Sequence, residues 1–123
     1  MEKMDVYREI IRENIEYDVL MHDTPRDAEL IDGYVELMVD TVCGNSHTVR
    51  VNKQDMPTEV VRSRFLKLGR EHIEYVMGCM KQNTTRIGNI KAYMLSALYN
   101  APITIGQYFT SLVNHDMAQG CAS

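Results

Sequence analysis

The chain is short of most of the residue patterns that announce a chemistry. Three cysteines, Cys43, Cys79 and Cys121, are odd in number, widely spaced and without a CxxC pair. They offer no disulfide framework and no zinc ribbon, and they fit a reduced, cytoplasmic setting. No apolar run reaches the roughly 18 residues that a membrane span needs, and no charged-then-apolar leader opens the chain. The four histidines, His22, His47, His72 and His115, lie 25, 25 and 43 residues apart, and none has a second ligand at HExxH or CxxC spacing. Each therefore reads as a surface or loop residue, and no metal or cofactor is expected. His115-Asp116 has neither a serine elbow nor a cysteine nucleophile beside it. Gly69, Gly78, Gly88 and Gly106 never assemble into a phosphate-cradling loop. Glu13, Glu16 and Asp18, like Asp27 and Asp32, alternate with polar positions on solvated faces. Carboxylates act as an acid and base couple only where burial or neighbours split their pKa values. Together these absences argue against an enzyme.

What is present describes a folded helical chain. With 123 residues and 45% hydrophobic content, residues 1–123 read as one domain, with an ordered core at about 5–116 and a fraying tail at 117–123. The net charge of −4 hides a division. Residues 1–49 carry twelve acids against four Lys/Arg, whereas residues 50–91 carry nine Lys/Arg against four acids. Such a division either creates a local positive patch or is neutralised within the fold.

Along the chain, the spacing predicts a mainly α bundle of about six helices. The first runs from Asp5 to Ile15, with Val6, Ile10 and Ile11 as its apolar positions and Tyr17, Val19 and Leu20 anchoring its end. Thr24-Pro25-Arg26-Asp27 reads as a cap, a proline at the first helical position and a dipole-favouring acid. The helix it starts should reach about Val42 and bury Ile31, Tyr34, Val35, Met38 and Val42. Residues 48–56 admit a small β-hairpin, with Asn52-Lys53-Gln54-Asp55 as its turn. Pro57 and Glu59 open a third helix burying Val61, Phe65 and Leu68. His72 to Gln82 forms a fourth with Ile73, Val76, Met77 and Met80 in one stripe. The stretch Ile87 to Asp116 reads as a central helical hairpin broken at Pro102. Ile90, Tyr93, Met94, Ala97 and Leu98 make its first face. Thr104 to Gln107 supplies a capping box, Ile103 a staple onto Tyr108, and Ile105, Tyr108, Phe109, Leu112 and Val113 the second face. The nine methionines fall mostly on these stripes and read as core filler.

The basic middle is the feature that bears on partners. Arg62, Arg64, Lys67, Arg70 and Lys91 are the candidate contacts to nucleic acid or to a protein partner, with Arg64 and Lys67 adjacent on a helical wheel and Arg62 well round it. Sequence-specific reading by a recognition helix is disfavoured, because Thr104 to Asp116 holds no Lys or Arg. Weak, non-specific contact to DNA backbone through the basic middle is the alternative. A Met-rich oligomerisation or scaffold surface is a third reading.

Several runs carry a resemblance. They include Glu13-Asn14-Ile15-Glu16-Tyr17-Asp18, Asp27-Ala28-Glu29-Leu30 and Met38-Val39-Asp40-Thr41-Val42-Cys43. Next come Glu59 to Leu68 and His72-Ile73-Glu74-Tyr75-Val76, and Asn114-His115-Asp116 closes the set. The most specific run is Asn89-Ile90-Lys91-Ala92-Tyr93-Met94-Leu95-Ser96-Ala97-Leu98-Tyr99-Asn100-Ala101-Pro102. From Ile10 to Asp116 the chain resembles the C-terminal domain of RepA-type replication initiators of plasmids and mobile elements. That domain is in turn similar to the helical domain of DnaD-like primosome proteins. Of the DnaD-like Tyr, Ile, Trp pattern, Tyr93 matches, while Ala97 and Ala101 stand at the other two positions. No functional residue carries over. The resemblance implies a non-enzymatic replication module that docks a helicase loader, helicase or primase, without the family's N-terminal winged helix.

Overall fold

The computed structural model describes the backbone of residues 3–83 and 89–122, with side chains for 3–82 and 89–106. Among these residues it is mainly helical: α1 (Lys3–Asn14), α2 (Tyr17–Asp23), α3 (Ala28–Cys43), α4 (Thr58–Phe65), α5 (Arg70–Asn83) and α6 (Ile90–Ala122), with one antiparallel pair, β1 (Thr48–Val51) and β2 (Gln54–Pro57).

The core is organised around α3. Its buried residues, Ile31, Tyr34, Val35, Leu37, Met38, Val39 and Val42, occupy more than one side of the helix, so it is surrounded rather than laid on a surface. It packs on α1, α2, α4 and α6. The Tyr34 hydroxyl reaches α5, lying 3.5 Å from both the Val76 carbonyl and Met80 Sδ. Burial pushes that phenol's pKa well above its ordinary value. Burying each large aliphatic side chain stabilises by about 1.5–3 kcal/mol before the entropy of ordering is counted.

Around α3 the periodicity succeeds in most places and is out of phase in one. In α1 the inward positions are Met4, Tyr7 and Ile11, with Ile15 following. Val6 and Ile10, expected among its apolar positions, are 41% and 39% exposed, and Val19, expected to anchor its end, is 36% exposed. Glu16 then takes a left-handed conformation (φ 54°), which breaks the chain into a separate α2. Thr24 does not cap the next helix through its side chain. Its Oγ1 donates to the Leu20 carbonyl at 2.7 Å, closing α2, and Pro25–Asp27 form a 3-10 turn before α3 begins. A hydroxyl at a junction of two helices can serve either end, and here the preceding carbonyl is in reach.

The hairpin pairs Val51 with Gln54 and Thr48 with Pro57. Its turn is two residues rather than four: Asn52 and Lys53 both have positive φ, 55° and 65°, as a type I′ turn requires. The Thr58 amide donates to the His47 carbonyl at 2.9 Å and extends the ladder. The backbone groups of the odd-numbered residues of β1 therefore face β2. Pro57, opposite an even residue, sacrifices no ladder bond, which is why a proline is tolerated there. In α4 and α5, Val61, Phe65, Leu68, Ile73, Val76, Met77 and Met80 are buried, as their spacing indicates.

The expected central hairpin is the main correction. Pro102 lies inside α6, a single helix of 33 residues. An interior proline costs about 3 kcal/mol or more through a lost amide donor and a clash with the carbonyl four residues earlier. Packing on both sides offsets it: Leu98, Tyr99, Ala101 and Ile105 are all buried. Arg64 Nη1 also donates to the Tyr99 carbonyl at 3.0 Å, beside the Leu98 carbonyl that Pro102 leaves without its amide. Thr104 is an exposed residue within the helix rather than its cap, and Ile103 is 52% exposed rather than a staple. Ile90 is likewise exposed. The expected face at Tyr108, Phe109, Leu112 and Val113, and the tail at 117–123, lie outside the residues whose side chains are described; so does the expected loop after Asn83. Among the described residues, no helix is long and apolar enough to cross a membrane.

Candidate functional site

The five basic residues singled out from sequence are spread over different neighbours. Arg62 Nε donates to the Val42 carbonyl at 3.0 Å, capping the C-terminal end of α3, where a cation also suits the helix dipole. Arg64 joins α4 to α6 through the Tyr99 carbonyl, and its guanidinium carbon lies 4.1 Å from the Tyr99 ring centroid. Arg70 sits between Glu16 at 3.6 Å and Glu74 at 3.8 Å. Lys67 is exposed on the C-terminal side of α4 and Lys91 on the first turn of α6. Arg62 and Arg64 are therefore tied into the fold, whereas Arg70 makes only long ion pairs at the surface, and the clefts described below do not bring the five together.

Other charges tie helix to helix. The Arg8 guanidinium forks onto Glu36 with two 2.8 Å bonds and reaches Asp5 at 2.9 Å, fastening α1 to α3. That hydrogen bonding holds the Glu36 carboxyl below its ordinary pKa. The Tyr17 hydroxyl donates to Asp32 at 2.5 Å, and this bond raises the phenol's pKa. His72, expected to be a surface residue, is structural instead. Its Nδ1 accepts the Gly69 amide at 2.9 Å and caps the start of α5.

Among the described residues, clefts border α6 on two sides. One lies against α5 and is mostly apolar, with Tyr75, Val76, Cys79, Tyr93 and Ala97 in its walls and Thr104 at one end. The other lies between α3, β1 and α6. Leu37, Val49 and Leu95 are its apolar surface, and Ser46, Thr48, Thr41, Asp40, Arg50 and Lys91 are among its polar lining. A latch at the hairpin tip ties the β1–β2 turn to α6, through residues that also line the first cleft. The Asn52 amide donates to Ser96 Oγ at 3.1 Å, and the side-chain amides of Asn52 and Asn100 exchange two 3.1 Å bonds. Ser96 and Asn100 are four apart on α6, so both face the same turn.

Sequence reasoning found Lys91 in this cleft and missed Arg50, Thr48 and the apolar surface. The β-prone run Thr48 to Val51 was visible, but which edge of a strand is left uncovered depends on tertiary packing. Among the described residues, no group of three His, Cys, Asp or Glu side chains is arranged to hold a metal ion.

Comparison with known proteins gives a family. The model of a family of unknown function (DUF6017) matches residues 1–120, and the chain belongs to that family. No curated protein and no solved structure matches it.

Proposed function

We propose that this member of the DUF6017 family is a non-enzymatic DNA-replication initiation module acting in the cytoplasm. It would dock host replication proteins, of helicase loader, helicase or primase type, at a plasmid or mobile-element origin. The resemblance from Ile10 to Asp116 supplies the replication context. One structural observation carries the docking part: the most specific run of that resemblance, Asn89 to Pro102, lines both clefts of α6. It contributes Tyr93, Ser96, Ala97 and Asn100 to one and Lys91 and Leu95 to the other. The division of charge along the chain adds support, because complementary patches steer protein encounters.

The nucleic-acid reading draws less support, since Arg62 and Arg64 are engaged inside the fold and Arg70 lies beside the carboxylates of Glu16 and Glu74. The scaffold reading loses its proposed surface where Met38, Met77, Met80 and Met94 are buried.

The test offers purified helicase, loader and primase separately to the immobilised chain. Retention of one, lost in a Lys91→Glu, Tyr93→Ala double variant whose circular dichroism is unchanged, is the expected result. Retention of none, together with salt-sensitive binding to DNA that Lys67→Glu abolishes, would overturn it in favour of the nucleic-acid reading.

A further inference from the structure

We infer that the outer edge of β1 is a strand-addition site for an extended acidic segment of a protein partner. The inference rests on the docking reading and gives it a place.

Among the described residues the sheet has two strands, so β1 has β2 on one side only. The ladder fixes which residues look outward. His47 accepts from Thr58, and Val51 and Gln54 close the two-residue turn, so His47, Val49 and Val51 address β2. Alternation then turns the amides and carbonyls of Thr48 and Arg50 away from β2. Among the described residues, none of these four groups has a hydrogen-bond partner. A cleft runs along this same edge. It is lined by the consecutive residues Thr48, Val49 and Arg50 and by no residue of β2 itself, with Thr58, the residue that follows β2, also in its lining. Successive strand residues point to opposite faces, so a cleft that touches all three follows the strand's rim.

The occupant follows from what the cleft offers. Two outward residues, two positions apart, present donors and acceptors at the spacing another strand would match. An added strand sends every second side chain toward the apolar surface of Leu37, Val49 and Leu95. Charge selects an acidic segment. Arg50 and Lys91 line the cleft against Asp40 alone, and the Lys91 amine has no partner among the described residues. Arg50 reaches Asp55 through one nitrogen at 3.2 Å, which leaves its other donors available. The Asn52–Asn100 latch holds β1 along α6 beforehand, so little ordering remains to be done on binding.

The test selects phage-displayed random heptapeptides on the whole chain. A synthetic peptide of the enriched sequence is then titrated by fluorescence anisotropy and amide hydrogen exchange. Alternating apolar and acidic sequences are expected, with dissociation constants on the order of ten micromolar and slowed exchange at the Thr48 and Arg50 amides. Thr48→Pro removes one outward N–H at the first residue of the strand, a place where proline is tolerated. It should weaken binding by up to about tenfold, the loss of one hydrogen bond. Lys91→Glu should weaken it by a similar factor, while Lys67→Glu leaves it unchanged; that pair carries the test if Thr48→Pro misfolds. No enrichment, basic or helical peptides that protect α5 and α6 instead, or equal binding to Lys91→Glu and wild type would each overturn the inference. If such peptides bind while helicase, loader and primase are not retained, the edge site stands and the assigned partners fail.

Discussion

Arg64→Ala separates an arginine that holds the fold from one that contacts DNA. In the structure its guanidinium does two things at once: it donates to the Tyr99 carbonyl at 3.0 Å and covers the Tyr99 ring at 4.1 Å. A hydrogen bond from a charged donor contributes about 1.5–3 kcal/mol, and a partly exposed cation–π contact about 0.5–1 kcal/mol. The two share one side chain and are not independent, so a loss of about 2–3 kcal/mol is expected. In urea, with a slope of about 2 kcal/mol/M, the unfolding midpoint should fall by about 1–1.5 M with the slope unchanged. Arg64→Lys should recover less than half of this, because an ammonium lacks the planar fork. A cost of Arg64→Ala below about 0.5 kcal/mol would refute the clamp, because even the weaker contact alone should exceed it.

Other consequences are local. Gly78 lies inside α5, and a Cβ there would meet nothing within 4 Å, so Gly78→Ala should stabilise by about 0.5–1 kcal/mol in the same urea titration. Lys53 holds a positive φ of 65° that side chains disfavour, and Lys53→Gly should raise stability by about 0.5–1 kcal/mol in thermal melts. The Glu36 carboxyl is held below its ordinary pKa near 4.5 by Arg8. A depressed folded-state pKa means that the stabilisation is complete above the unfolded value and is lost as pH falls through the folded one. Acid titration of stability should therefore show wild type losing its advantage over Arg8→Met from about pH 4.5 downward, with the gap constant at higher pH.

Much of the fold was legible because burial and periodicity agree where a helix presents one face. The stripes Val61, Phe65, Leu68 and Ile73, Val76, Met77, Met80 are of this kind. Local rules misled where two of them competed. At Thr24 one hydroxyl could serve either neighbouring helix, and it closes the earlier one. At Pro102 the intrinsic cost of proline argued for a turn, and burial of Leu98, Tyr99, Ala101 and Ile105 outweighed it. The candidate site was less legible. Arginine types and spacing suggest a basic patch equally well whether the side chains reach solvent or a neighbouring carbonyl. Only the positions of Val42 and Tyr99 reveal that Arg62 and Arg64 are engaged. The uncovered edge of β1 depends on how α6 packs beside it, and that information is absent from any short run of sequence.

The central claim is that α6 and the strand beside it form a docking surface for a replication protein. It is tested most directly by titrating the isotopically labelled chain with unlabelled helicase, loader and primase in turn and following its backbone amides by NMR. With one of the three, the account predicts changes concentrated at Thr48, Arg50, Lys91 and Leu95. Spectra unchanged by all three proteins, or changes confined to Lys67 and its neighbours when DNA alone is added, would contradict it.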